Sequence, residues 1–329
     1  MPLNRKASIL FLICFGLYLT LSLAVGTVLA IASAGYSAQL WASALLISVP
    51  AFLIPALIFR RKNRFERFRA PRFTHILLAL VLGVGCLFLN LALVCFTSAL
   101  TYGIEIESNA LDVMESLGGS DVITMILCVA IVPALCEEFI MRGALLESWR
   151  RYSPVWASVL TALLFALLHL APSNIIVYFA MGMLFAVVYN ITRNVWLTVI
   201  IHFANNMLSV LQALNSLNAA ETAEDIGELP QADYISYFYI SILIAAAIIV
   251  PTLFILRNSC RKRGIGAYAP VPEPAEPADD ILNSAEAEPE VYNRRKLLSD
   301  PVLWISLAIL ISLNVLSGLV EFGVIALPE

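Results

Sequence analysis

Nine apolar runs, near residues 8–33, 40–59, 75–100, 121–141, 155–171, 173–191, 194–214, 234–256 and 301–325, set the limits on what this chain can become. Each is long enough to cross about 30 Å of hydrocarbon. Inside lipid a lone segment must satisfy its own backbone N–H and C=O groups, and it does so as an α-helix. The runs therefore predict an all-α, polytopic membrane helix bundle with about nine transmembrane helices. Hydrophobic residues make up 60% of the chain and charged ones 13%, which excludes a soluble fold.

The connecting segments orient the helices, because Lys and Arg collect on the cytoplasmic side. Arg5 and Lys6 precede the first helix, and Arg60, Arg61, Lys62, Arg64, Arg67, Arg69 and Arg72 follow the second. Arg150 with Arg151, then Arg193, then the basic ends of 257–296 mark further cytoplasmic turns. The segments between them, 33–39, 104–121, Ala171-Pro172-Ser173 and 221–233, carry no cation. The alternation predicts a multi-pass protein of the cell membrane, N-terminus cytoplasmic and C-terminus extracytoplasmic. The first run ends near Ala32-Ser33-Ala34, which imitates a cleavage site. Its apolar stretch exceeds a signal peptide's, so an uncleaved anchor is expected.

Cys14, Cys86, Cys95, Cys128 and Cys136 lie in apolar runs, where each serves as a small hydrophobe. Cys260 follows a membrane segment beside several basic residues and reads as an idle thiol rather than a lipidation site. Residues 265–292, rich in Pro, Ala and Glu, are expected to form a disordered cytoplasmic linker. The ninth helix beyond it looks like an appendage.

Against this background, charge inside the bilayer stands out. Glu137, Glu138 and Arg142 lie in VPALCEEFIMRGALL, and His169 and His202 lie on later helices; the reading finds no other ionisable group at membrane depth. Such groups are expensive in lipid and mark functional sites by default. Residues four apart differ by about 40° around a helix axis and adjacent ones by about 100°. Glu138 and Arg142 thus share a face as an ion pair, and Glu137 points elsewhere. His202 and Asn206 are also four apart. A carboxylate, two imidazoles and a carboxamide from three helices suit hydrolysis, with a base for water and donors for an oxyanion. Counting along the helices puts Glu137 and His202 towards the cytoplasmic side and His169 nearer the outer side. His75 reads as an interfacial residue. Asn90, Tyr178, Tyr189 and Asn205 read more readily as packing residues than as cavity lining.

These motifs resemble the CPBP intramembrane proteases, which include the type II CAAX prenyl endopeptidases and the bacterial Abi and bacteriocin-processing proteins. EExxxR appears as Glu137-Glu138-Phe-Ile-Met-Arg142, FxxxH as Phe165 to His169, and HxxxN as His202 to Asn206. The resemblance covers about residues 120–215. It implies that Glu137 is the general base, that His169, His202 and Asn206 complete the site, and that Glu138 and Arg142 orient it. It also implies a bacterial source, a peptide or membrane-protein substrate, the lipid bilayer as surroundings, and no nucleic acid.

Two mechanisms stay open on that resemblance. Glu137, His169 and His202 would supply three ligands to a zinc ion with water in the fourth position. Alternatively Glu137 deprotonates water without a metal while His202 and Asn206 hold the oxyanion. The chain then divides into N-terminal helices (1–115), a catalytic core (116–256), the linker (257–300) and an extra C-terminal helix (301–329). The rival readings are a proton-coupled transporter using the same groups as a relay, and a non-catalytic immunity or scaffold protein. No HExxH, no GxSx nucleophile motif of the rhomboid type and no clear internal repeat appears, and Gly118-Ser120-Asp121 is expected in an exterior loop rather than in a presenilin-like helix.

Overall fold

The computed structural model describes residues 1–63, 70–102, 122–220, 230–265 and 294–324. Among these residues there are helices and turns and no strand. In chain order they are α1 (Leu3–Ile31), α2 (Tyr36–Lys62), α3 (Phe73–Leu100), α4 (Val122–Trp149), α5 (Pro154–Leu168), α6 (Ile175–Thr192), α7 (Val195–Ala220), α8 (Gln231–Arg261) and α9 (Pro301–Glu321). Seven of these spans are long and apolar enough to cross a membrane, the one holding α6 counted from Pro172; α5 and the apolar part of α7, Val195–Leu208, are shorter. The chain is a multi-pass membrane protein.

Lipid tails give apolar helices no reason to segregate, so close packing has to hold them together, and small residues permit it. A Cβ added at Gly83 of α3 would stand 2.6 Å from Ala204 Cβ of α7. One added at Gly182 of α6 would stand 2.9 Å from Ala162 Cα of α5. These contacts set the α3–α7 and α5–α6 pairs, while α8 lies along α3.

Two helices differ from the sequence expectation, and both differences relocate polar residues. α4 does not end near residue 141. It continues through a wide π-helical turn, Met141–Leu146, to Trp149, and Arg60 of α2 donates to the Gly143 carbonyl within that turn. Glu137 therefore lies roughly 18 Å from the Trp149 end, near the middle of α4 rather than towards its end. The extension also buries an acid that the sequence reading missed. Glu147 is 7% exposed, with Arg193 Nη2 at 2.7 Å and Tyr189 Oη at 2.9 Å.

α5 instead ends early, at Leu168. Pro172 disfavours helical backbone in the residue before it, and Ala171 is accordingly at φ −124°, ψ 83°. With 15 residues α5 is about 22 Å long, short of the hydrocarbon thickness. His169 follows its last turn and so lies deep, which removes the depth conflict between His169 and the other motif residues.

α9 is no appendage. Leu303, Leu307, Leu310 and Asn314 are buried, and the helix packs against α1 and α5. Asp300 caps its start by accepting from Val302 N, and lies 3.9 Å from Arg5 of α1. His75, near the start of α3, is buried within the protein, 2.9 Å from Ser259 Oγ. All six cysteines are free and buried, so Cys260 offers no exposed thiol. The expected linker beyond Ile265, the segment 104–121, most of 221–233, and Arg64, Arg67 and Arg69 lie outside the described residues.

Candidate active site

The structure brings five of the motif side chains into two layers. In the first, Glu138 and Arg142 share a face of α4 as their spacing predicts, and both are 0% exposed. Arg142 Nη1 donates to Glu138 Oε1 at 2.9 Å, and its Nη2 donates to the Gly182 carbonyl at 3.0 Å. The guanidinium lies 5.0 and 5.3 Å from the ring centroids of Phe165 and Phe185, which adds cation–π attraction away from water. His202 of α7 stacks on Phe185 and places Nδ1 3.1 Å from Glu138 Oε1. An ionised carboxylate only accepts, so Nδ1–H is the donor. Glu138 thus orients His202 as well as Arg142, a link that helical spacing does not disclose.

In the second layer, Glu137 is turned away from that pair. Its Oε2 is buried without a hydrogen-bond partner and lies 3.9 Å from His169 Nε2. His169 Nδ1 lies 2.7 Å from the Phe165 carbonyl, which must accept its proton. Nε2 is thereby aimed at Glu137. Tyr178 of α6 stacks on the imidazole, with centroids 3.8 Å apart and planes 18° from parallel. Both Glu137 and His169 keep about a fifth of their side-chain surface exposed, 19% and 23%. The next residue, Leu170, has φ +49°, a left-handed backbone that costs roughly 1–2 kcal/mol outside glycine.

Asn206 joins from one turn beyond His202. Its Nδ2 lies 3.3 Å from the Val129 carbonyl on α4. The backbone is a wide π-helical turn here, Ile126–Ile131, just before Pro133, which has no N–H to give the Val129 carbonyl. Asn205 Nδ2 donates to Asn206 Oδ1 at 3.3 Å, and Asn90 of α3 donates to Asn205 Oδ1 at 3.1 Å.

The Rce1-like model, described as type II CAAX prenyl endopeptidase Rce1-like, matches residues 119–208. That segment contains all six motif residues. Over that stretch the chain is similar to the type II CAAX prenyl endopeptidases. It is also similar to a protein of Bacillus subtilis (strain 168) named "Putative membrane peptidase YdiL", with 27% identity over 180 residues, 51% of this chain and 70% of that protein. No solved structure matches.

The sequence does not disclose Tyr178 as the partner of His169, nor Asn205 and Asn90 as hydrogen-bonded neighbours of Asn206. Only the Val129–Pro133 spacing was available as a local signal, since the other contacts join separate helices. Tyr189, weighed as cavity lining, instead belongs to the Glu147 cluster. The zinc set is not assembled: among the described residues no three His, Cys, Asp or Glu side chains gather around one point. The tautomers nevertheless have the form that metal-binding histidines take, each Nδ1–H held by an oxygen and each Nε2 left as the ligating atom.

Proposed function

We propose that this protein is a CPBP/CAAX-family intramembrane endopeptidase in which Glu137 activates water. The match of residues 119–208 to the Rce1-like family and the likeness to a membrane peptidase support the coarse reading. The observation that carries the finer one is Glu137 Oε2, a buried acceptor with no hydrogen-bond partner, beside His169 Nε2 on a frame pinned by Glu138, Arg142 and His202.

In the reaction, Glu137 takes a proton from water as the oxygen bonds to the peptide carbonyl carbon. The carbonyl oxygen becomes an oxyanion. Asn206 Nδ2 has a second proton beyond the one given to Val129, and it donates to that oxygen. His202, with Nδ1–H committed to Glu138, donates from Nε2 when doubly protonated. The C–N bond then breaks, and Glu137 returns its proton to the leaving nitrogen. His169 Nε2, an acceptor 3.9 Å from Glu137 Oε2, takes a hydrogen bond from the second hydrogen of the attacking water.

A zinc version is favoured by one observation, the two imidazole tautomers. In it Glu137, His169 and His202 are the ligands, and the ion would polarise the carbonyl and lower the pKa of bound water. Because those three donors are not gathered, no step above passes through a metal. Exhaustive chelation separates the two: activity that survives it sinks the zinc version, and activity restored only by added zinc sinks the metal-free one.

The N-terminus is cytoplasmic and the C-terminus extracytoplasmic in this proposal, by the loop charges. The substrate is a secreted peptide or a membrane-protein tail entering the bundle. Crosslinked capture by Glu137→Gln in cells, with the captured chain cleaved by wild type, tests that class. Proton flux into liposomes that Glu137→Ala and His202→Ala both abolish, with no peptide cut, would favour transport instead.

A further inference from the structure

We propose that α9 is part of the site: Asn314, Ser317 and Glu321 are positioning residues that hold the turn after His169 and so set its imidazole against Glu137. These three lie on one stripe of α9, and they meet in turn the last turn of α5, the break after it and the short 3-10 turn that follows. Asn314 Nδ2 donates to the Leu167 carbonyl at 2.7 Å, and Ser317 Oγ donates to the Leu170 carbonyl at 2.7 Å. Glu321 accepts from the Ser173 hydroxyl and, at 3.4 Å, from its backbone N–H. Non-helical backbone at membrane depth is tolerated only where protein or a cavity supplies its partners, and α9 supplies them here.

The placement of these bonds distinguishes a positioning role from generic helix adhesion. Interhelical hydrogen bonds could fall anywhere along α5. These fall on Leu167, Leu170 and Ser173, on both sides of His169 and on the residue with the left-handed backbone. A bulky side chain rarely adopts that backbone unless its surroundings determine it, and Ser317 grips its carbonyl. α9 is itself anchored at its other end. Asn4 Nδ2 donates to the Lys296 carbonyl at 2.9 Å, just before the helix, and Leu303, Leu307 and Leu310 are buried in the bundle.

The kinetic part of the test rests on the peptidase reading, and the spectroscopic part does not. The full-length protein, labelled with 15N-histidine and held in nanodiscs, has three histidines, assigned through His75→Gln and His169→Gln. Asn314→Ala, Ser317→Ala and Glu321→Gln should each shift or broaden the His169 ring signals while leaving those of His202 and His75 in place. Ser317→Thr, which keeps the hydroxyl, should restore the wild-type signals. With a cleavable peptide, kcat should fall on the order of tenfold to a hundredfold, with KM within about twofold. If Asn314→Ala fails to fold, Ser317→Ala, lacking a single hydroxyl, carries the test. His169 signals unchanged in the variants overturn the proposal, as does equal movement of all three histidines. A His169 response in a protein that cuts no peptide supports the positioning role and overturns the peptidase reading.

Discussion

Glu138 and His202, 64 positions apart, are joined by a hydrogen bond of 3.1 Å, and the same Glu138 oxygen holds Arg142 at 2.9 Å. Removing the carboxylate would leave a buried guanidinium uncompensated. Glu138→Ala should therefore destabilise the protein by about 3–5 kcal/mol, the usual result of breaking one side of a buried pair. Glu137→Gln should stay within about 0.5 kcal/mol of wild type, because Oε2 gives up no hydrogen bond. Thermal unfolding in detergent compares the two neighbours directly.

Gly182 connects packing to the same pair. Its missing side chain lets α6 approach α5, and its carbonyl accepts from Arg142 Nη2. Gly182→Ala would press a Cβ to 2.9 Å from Ala162 Cα. A loss of about 1–3 kcal/mol is expected from overpacking, read as a lowered Tm. An unchanged Tm would mean that the helices separate freely.

Asn206 has a structural duty to Val129 and a proposed catalytic one, and a double-mutant cycle separates them. Asn206→Ala should cost about 1 kcal/mol of stability and slow cleavage by roughly a hundredfold or more. Pro133→Ala adds a backbone N–H that can reach the Val129 carbonyl in an α-helical register. The stability cost of Asn206→Ala should then shrink, while the kinetic loss persists.

In the proposed reaction His202 donates to the oxyanion beside Asn206. His202→Gln, which keeps a neutral donor, should retain more of kcat than His202→Ala. Equal losses in the two variants would remove His202 from the oxyanion.

Much of the architecture was legible because lipid imposes simple rules. Long apolar runs become helices, and i,i+4 spacing paired Glu138 with Arg142. What escaped detection depends on contacts between helices. Tyr178 on His169, Asn205 beside Asn206 and α9 under the α5 break are set by packing, which leaves no short-range pattern. Helix ends misled in two places: the apolar run near 121–141 stopped short of Glu147, but α4 continues and Glu147 is buried against Tyr189 and Arg193. Ala171-Pro172 carried the signal for the early end of α5, yet it resembled an ordinary exterior turn.

The central claim is that Glu137 is the base. Purified wild type and Glu137→Gln, reconstituted at equal density in liposomes, would be given a captured substrate, and products would be followed by mass spectrometry. Wild type should release a defined pair of fragments, and Glu137→Gln should be slower by a factor on the order of a thousand while folding normally and still binding substrate. Fragments released by Glu137→Gln at the wild-type rate would contradict it.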